Sequence, residues 1–130
     1  MVNILATVPI SLLWVYLTKS LAIRGIIKQT GKYDNDNPRD QQAALEGPAK
    51  RAIAAHYNGF EAFPGFAIGV VLAKVTGTRP DIAMILAWVH VAARIVYPFL
   101  YINQISSLRS TVWAVGFLAT MGLLCLPVFG

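Results

Sequence analysis

The sequence predicts an all-α membrane protein in which four transmembrane helices form an up-down-up-down, left-handed bundle. The first observation is composition: 56% of the 130 residues are hydrophobic, 13% are charged, and the mean hydropathy is +0.57. Soluble domains are about 45–50% apolar and about 25% charged, so a soluble chain of this length cannot bury so much apolar surface. The second observation is that the chain divides into four apolar segments. We therefore expect one transmembrane domain over residues 1–130.

The four apolar segments predict helices at about residues 2–27, 51–75, 82–103 and 111–129. Each holds roughly 19–26 residues, enough to cross about 30 Å of hydrocarbon at about 1.5 Å per residue. The first segment lacks the basic start and the small-residue cleavage site of a signal peptide, and it continues directly into Lys19, Arg24 and Lys28. We therefore interpret it as a membrane span.

The connections between these segments indicate how the helices are arranged. The first connection, at about residues 29–50, is the longest polar stretch, and its sequence TGKYDNDNPRDQQ is rich in turn-forming Asp, Asn and Pro. The other two are short: KVTGTRPD, in which Pro80 suits the first turn of a helix, and NQISSLRS. Short links predict that consecutive helices are antiparallel neighbours.

The net charge of +5 reports membrane topology. The first and third connections hold most of the basic residues outside the spans, whereas the opposite side has only Lys74 and Arg79. Because positive charge marks the inner side of a membrane, we expect both basic connections to be cytoplasmic and both termini to be non-cytoplasmic. The partners expected are membrane lipids, and no nucleic acid. The membrane would be the plasma or inner membrane in a bacterium and an endomembrane in a eukaryote.

Polar residues at the head of the second segment are the most informative feature for function. Arg51, Asn58 and Glu61 are spaced i, i+7 and i+10, which places them on one helical face, and His56 lies on a neighbouring flank. Hydrocarbon offers no water to solvate such groups. They therefore indicate either a functional site or a polar clamp between helices.

The third segment carries a second polar stripe. His90, Arg94, Tyr97 and Tyr101 are spaced i, i+4, i+7 and i+11, again on one face. An arginine in the middle of a membrane costs at least about 2.5–3.5 kcal/mol, so Arg94 needs a partner. Glu61 is the only acidic residue inside a predicted span. We expect the two to pair, directly or through another copy of the chain.

Each of these residues also has a purely structural interpretation. Glu61 and Arg94 can form an ion pair between helices, Asn58 can be an interhelical hydrogen bond, and the two tyrosines can lie at the membrane interface. His90 is expected to be packed in the bundle. A structural clamp between two helices, however, needs only two polar residues. Seven polar residues are expected in the cytoplasmic half: Arg24, Arg51, Asn58, Glu61, Tyr97, Tyr101 and Arg109. Such a cleft suits a small anionic ligand with a lipophilic half.

A metal site is not expected. Cys125 is the only cysteine and lies in the last apolar segment, where a small buried hydrophobic residue is the ordinary role. His56 and His90 alone do not make a metal-binding set.

Three stretches resemble a known family. AHYNGFEAFPGF (residues 55–66), ARIVYPFLY (residues 93–101) and the following Arg109 resemble the membrane-associated proteins in eicosanoid and glutathione metabolism, or MAPEG family. That family includes microsomal glutathione transferases, leukotriene-C synthase and the non-enzymatic five-lipoxygenase activating protein. The resemblance covers nearly the whole chain.

The resemblance implies a homotrimer that binds glutathione, as co-substrate, between neighbouring subunits. Asn58 and Glu61 would hold its peptide backbone and amino group, and Arg51, helped by Arg24, would contact a carboxylate. The full set of implied substrate-binding residues is Arg24, Arg51, His56, Asn58, Glu61, Arg94, Tyr97 and Tyr101. Arg109 would be catalytic and stabilise the glutathione thiolate. The sequence departs from the pattern at Ala54, where many members carry an arginine.

The leading functional hypothesis is a glutathione-dependent transferase for lipophilic electrophiles or a peroxidase for lipid hydroperoxides. The alternative is a membrane protein of the same family that binds a lipid or thiol without catalysis. A small four-helix exporter with an essential membrane carboxylate ranks below both, because such transporters carry that glutamate in the first helix and this first helix has no acidic residue.

Overall fold

The computed structural model describes residues 3–129, and every regular element in that range is helical. A 3-10 turn (Ile4–Ala6) leads into five helices: α1 (Thr7–Thr30), α2 (Pro38–Ala43), α3 (Gly47–Thr76), α4 (Pro80–Ile102) and α5 (Ser106–Phe129). All except α2 are long and apolar enough to cross a membrane. The expected all-α, multi-pass membrane protein is confirmed. The alternating direction of the helices stays a prediction.

Two helices extend beyond their predicted ends into the first connection. α1 continues to Thr30 and ends at Gly31, whose φ of 87° gives the left-handed conformation common at helix C-termini. α3 begins at Gly47 rather than near residue 51, because Pro48 occupies its first turn, where a missing N–H costs nothing. The first connection is therefore much shorter than the sequence predicts.

The remaining connection is ordered by side-chain hydrogen bonds. The Asp34 carboxylate accepts two backbone N–H bonds of 3.0 Å, from Asp36 and Asn37, just before α2 begins at Pro38. These bonds turn the chain in the way that an Asx-turn does. Composition alone predicts a loop here, so α2 is a correction to the predicted organisation.

Gln41 attaches α2 to the end of α1. Its side-chain amide donates to the Thr30 hydroxyl and to the Lys32 carbonyl, at 3.2 and 2.9 Å, and its oxygen accepts from the backbone of Asp34 at 2.9 Å. Leu45, on the link to α3, is buried against α1 and α3. The segment between α1 and α3 is thus held to the end of α1 by Gln41 and to both helices by the buried Leu45.

α3 contacts each of the other three spanning helices, α1, α4 and α5. Glycines allow two of these approaches. A Cβ at Gly25 would lie 3.1 Å from the Ala49 Cα, and a Cβ at Gly69 would lie 2.9 Å from the Leu123 Cβ. Close approach through small residues is the usual basis of helix packing in membranes. Polar groups on α3 therefore lie within reach of three other helices.

A proline in α4 is compensated by a tryptophan in α1. Pro98 has no N–H, so the carbonyl of Arg94, four residues earlier, loses its helical hydrogen bond. The indole N–H of Trp14 donates to that carbonyl at 2.9 Å. Neighbouring helices re-satisfy backbone groups freed by proline in this way. The bond ties α1 to α4 at the level of Arg94.

We predict that Trp14→Phe lowers the free energy of unfolding by about 1–3 kcal/mol, because it leaves the Arg94 carbonyl buried without a donor. Phenylalanine keeps the aromatic contact with Phe99. The matched background is Pro98→Ala, which restores the N–H that the carbonyl lacks. In the Pro98→Ala background, Trp14→Phe should lower the free energy of unfolding by a smaller amount. The difference between the two backgrounds, measured by unfolding in detergent, should be about 0.5–3 kcal/mol. Equal costs in the two backgrounds would contradict the assignment.

Candidate functional site

Arg94 is the buried cation around which the site is built. It lies on α4 with only 7% of its surface exposed. Its Nη2 donates to the Asn58 side-chain oxygen at 2.9 Å, and its Cζ lies 4.4 Å from the centre of the Tyr97 ring. The guanidinium is therefore stabilised by a neutral amide and by the negative face of an aromatic ring.

Glu61 is linked to Arg94 through Asn58. The Asn58 amide nitrogen donates to the Glu61 carboxylate at 3.3 Å, while the Asn58 oxygen accepts from Arg94. The direct ion pair expected from the sequence is replaced by this bridge: over residues 3–129 the ion pair within 4.0 Å is Arg79 with Asp81. Since Glu61 is exposed on the subunit, its carboxylate remains available to another partner.

The polar side chains of α3, α4 and α5 surround a cavity of about 460 Å³, which we call the site cavity. Binding sites for small molecules commonly have volumes of about 300–1,000 Å³. Its lining residues are Ala54, Tyr57, Asn58, Glu61, Tyr97, Tyr101, Arg109, Ser110 and Trp113. Five of the nine predicted site residues are thus brought together from three helices.

Arginines and tyrosines stack in a continuous ladder along one wall of the site cavity. Tyr97 and Tyr101 meet edge to face with ring centres 5.8 Å apart, and the Arg109 Cζ lies 4.5 Å from the centre of the Tyr101 ring. Arg94 completes the ladder at the other end. Within residues 3–129, Arg109 makes no side-chain hydrogen bond and no ion pair. Its guanidinium is held in place by a ring face while its N–H groups stay free.

A second cavity, the apolar cleft, adjoins the first. Its volume is about 390 Å³, and it shares Asn58, Glu61 and Trp113 with the site cavity. Most of its other lining residues are apolar or small, among them Ala62, Phe117 and Leu124. The Trp113 and Phe117 rings stack with centres 5.2 Å apart. A polar and an apolar compartment therefore meet at Glu61 and Trp113.

Comparison with known proteins gives one match: residues 3–129 match the MAPEG family. The chain belongs to the MAPEG family. No curated protein and no solved structure matches it. Membership supports a membrane role connected with glutathione, in agreement with the resemblance drawn from the sequence.

Three predicted residues of this MAPEG protein lie away from both cavities. The Arg51 Nε donates to the carbonyl of Ile102 at 2.9 Å, so its side chain caps the end of α4. The His56 ring is buried against α1, with Nδ1 2.9 Å from the Val15 carbonyl. Arg24 is exposed on α1. In the single subunit, α3 and α4 approach closely enough to engage Arg51, and the flank that carries His56 faces α1.

His90 packs as the sequence predicts, and it also lines the apolar cleft of the MAPEG protein. Its ring stacks on Phe66 with centres 3.9 Å apart, and its Nδ1 lies 3.1 Å from the Gly116 carbonyl and 3.0 Å from the Thr120 hydroxyl. Because a carbonyl only accepts, Nδ1 carries the proton. His90 thereby fixes α5 against α4 behind the cavities.

Sequence reasoning missed four residues that line the site cavity of this MAPEG protein: Ala54, Tyr57, Ser110 and Trp113. For two of these four residues, the sequence spacing offered a signal. Trp113 lies one helical turn beyond Arg109, and Ala54 lies one turn before Asn58, so each shares a face with a predicted site residue. Over residues 3–129 no group of three or more His, Cys, Asp or Glu side chains is placed to hold a metal ion.

Proposed function

We propose that this MAPEG protein is a glutathione-dependent membrane enzyme, either a transferase for lipophilic electrophiles or a peroxidase for lipid hydroperoxides. The observation that carries the proposal is the presence of two charged groups in one cavity: the Glu61 carboxylate and the Arg109 guanidinium, neither of which forms an ion pair within residues 3–129. A zwitterionic thiol peptide has an ammonium for the first and a thiolate for the second.

Arg109 has the chemistry needed to activate a thiol. A free thiol has a pKa of about 8.5, so only a few per cent is ionised at neutral pH, and the thiolate is the nucleophile. A contacting positive charge lowers such a pKa by about one to three. Because arginine stays protonated at all relevant pH values, Arg109 acts as a fixed charge and not as a proton shuttle.

The two reactions use the same thiolate. In transfer, the sulfur attacks an electrophilic carbon, a C–S bond forms, and the leaving group departs with the electron pair. In peroxide reduction, the thiolate attacks the outer oxygen of the hydroperoxide, an S–O bond forms as the O–O bond breaks to give a sulfenic acid, and the departing alkoxide takes a proton from water to become an alcohol. A second thiol then displaces water from the sulfenic acid to give a disulfide.

The presence of an apolar cleft beside the polar site cavity supports a lipophilic second substrate. The apolar cleft adjoins the site cavity at Trp113, and it is lined by side chains of spanning helices. An apolar molecule dissolved in the membrane gains free energy by entering such a cleft only if it fits the cleft well, since lipid is equally apolar. The stacked Trp113 and Phe117 rings offer a flat aromatic surface for that contact.

A specific observation favours the non-catalytic alternative as the second candidate. Ala54 lines the site cavity with a methyl group at a position where many members of the family carry an arginine. A site with fewer cations holds an anionic peptide less firmly. Ligand binding without turnover in the assay described below would select this alternative.

Glu61 also indicates that the chain assembles with copies of itself. It lies within a membrane-spanning helix, yet it is exposed on the single subunit. Carboxylates at membrane depth face a bundle interior or a water-filled cavity, because contact with lipid is costly. A neighbouring copy that covers the open side of the site cavity removes this exposure. We propose the homotrimer implied by the family, with α3 of one subunit facing the α4–α5 connection of the next.

We predict that the protein purified in mild detergent has the mass of a trimer by native mass spectrometry. The physical reason is the cost of leaving the Glu61 carboxylate and the open cavity against lipid. A population made only of monomers and dimers, under conditions in which the fold is retained, would contradict this assembly.

We predict that Arg109→Ala lowers turnover with a chloronitrobenzene by about 10²-fold or more at neutral pH, the usual loss when one preorganised charge donor is removed. Glutathione binding should be affected far less, because Glu61 and Asn58 remain. The defect should shrink at alkaline pH, where the thiol ionises unaided.

The control for this experiment is Arg79→Ala, which removes one exposed arginine that pairs with Asp81 far from both cavities. Its rate should equal that of the wild type at each pH. If Arg109→Ala keeps the wild-type rate and pH profile, Arg109 anchors α5 at the interface and the catalytic assignment is wrong.

A further inference from the structure

The site cavity has fewer cations than a glutathione molecule has anionic groups. The tripeptide bears two carboxylates besides its thiolate, whereas Arg109 is the one basic residue among the groups that line the cavity. Arg51, which was expected to bind a carboxylate, is not among the lining residues, and its Nε donates to the Ile102 carbonyl. Ala54 offers only a methyl group. A carboxylate bound in the cavity therefore needs a cation from another element.

Arg39 of α2 is a cation held next to one residue of the cavity lining, Tyr57. Its Cζ lies 5.1 Å from the centre of the Tyr57 ring, and Tyr57 is part of the cavity lining. Its Nη1 donates to the Gln42 side-chain oxygen at 3.3 Å, and the Tyr57 hydroxyl donates to that same oxygen at 2.9 Å. Within residues 3–129, no carboxylate lies within ion-pair distance of Arg39. Four of its five N–H donors are free of these contacts.

The segment that carries Arg39 is ordered, so the guanidinium is positioned and not merely nearby. Gln41 fixes α2 to the last residue of α1 through one hydrogen bond and to the link that follows α1 through two more, and Gln42 is buried and accepts a hydrogen bond from Tyr57. The ring face and the Gln42 oxygen hold the guanidinium from two sides. Such pre-organisation reduces the entropy that a long side chain loses when it binds a ligand.

The distance along α3 indicates which of the two carboxylates of glutathione lies near Tyr57 and Arg39. Tyr57 and Ala54 lie one turn apart on the face that reaches Glu61. From Ala54 to Glu61 the helix rises about 10.5 Å at about 1.5 Å per residue. An extended tripeptide covers about 10–11 Å. With its ammonium at Glu61, the adjacent γ-glutamyl carboxylate stays near Glu61, and the glycine carboxylate reaches the level of Ala54 and Tyr57.

We infer that Arg39 binds the glycine carboxylate of the thiol tripeptide, in place of the arginine that position 54 lacks. The inference rests on the proposed glutathione site. It makes Arg39 a specificity-determining residue: the enzyme distinguishes a tripeptide with a free C-terminal carboxylate from a shorter or blocked thiol. Lys50, exposed one turn before Ala54, is the competing source of positive charge.

The test compares two ligands in equilibrium binding to the full-length protein in detergent: glutathione, and glutathione esterified at its glycine carboxylate. Arg39→Gln removes the charge and keeps a polar side chain of similar reach. It should weaken glutathione binding by about tenfold, the effect of losing one charge-assisted contact. Binding of the ester should change by less than about twofold, because the ester has no charge for Arg39 to bind.

Two control variants complete the experiment. Lys28→Gln removes an exposed charge near the end of α1 and should leave both affinities unchanged. Lys50→Gln should do the same, whereas a loss for glutathione alone in this variant would move the assignment from Arg39 to Lys50. Equal weakening of both ligands in Arg39→Gln would make its role structural and overturn the inference. If the wild type binds glutathione and Arg39→Gln binds it equally well, the inference fails and the proposed function stands. Absence of binding in the wild type overturns both.

Discussion

The burial of Arg94 inside a membrane-spanning bundle is the constraint on which the rest of the structure depends. A guanidinium cannot be left without partners at that depth, and Arg94 finds them on α3 and on α4 itself. Asn58 of α3 accepts its hydrogen bond, and Tyr97 of α4 presents a ring face to it. Trp14 of α1 binds the carbonyl of the same residue. Helices α1, α3 and α4 thereby meet at one residue, α1 at its backbone carbonyl and α3 at its side chain.

The way in which Arg94 is satisfied determines what remains for a ligand. Because Asn58 is neutral, it stabilises the cation without consuming a carboxylate, and its amide nitrogen orients Glu61 toward the open side of the subunit. The Tyr97 and Tyr101 rings extend the same wall to Arg109. The buried arginine is thus stabilised inside the bundle without an ion pair, while the Glu61 carboxylate and the Arg109 guanidinium on the cavity wall form no ion pair within residues 3–129. We regard Arg94 as a positioning residue and Arg109 as the group that contacts the reacting sulfur.

Periodicity predicted the parts of this account that depend on a single helix. The four spans follow from apolar runs, and the shared faces of Asn58 with Glu61 and of Tyr97 with Tyr101 follow from helical spacing, so four of the six residues that line the cavity from α3 and α4 were predicted. Sequence also predicted that Arg94 needs a partner. It could not predict that a neutral amide would stand between Arg94 and Glu61, since that depends on where two helices cross.

The failures occur where one helix meets another or where a polar segment folds locally. Arg51 shares a face with Asn58, yet the end of α4 comes close enough for its carbonyl to bind the guanidinium first. The first connection reads as a loop from its Asp, Asn and Pro residues, but Gln41 binds three groups across it and stabilises α2. That local order brings Arg39 to Tyr57, a contact between residues 18 positions apart that no helical periodicity describes.

The central claim is that the site cavity binds glutathione as a thiolate. The most direct test is the number of protons released when glutathione binds the wild-type protein at neutral pH, measured by calorimetry in two buffers with different heats of ionisation. Since a thiol of pKa about 8.5 is almost fully protonated in solution, a pKa lowered by about one to three predicts the release of about 0.2–0.9 proton per bound glutathione at pH 7, and none for S-methylglutathione, which has no thiol. Binding of both ligands without proton release would contradict the account, because it would mean that the cavity binds the peptide and leaves its sulfur unactivated.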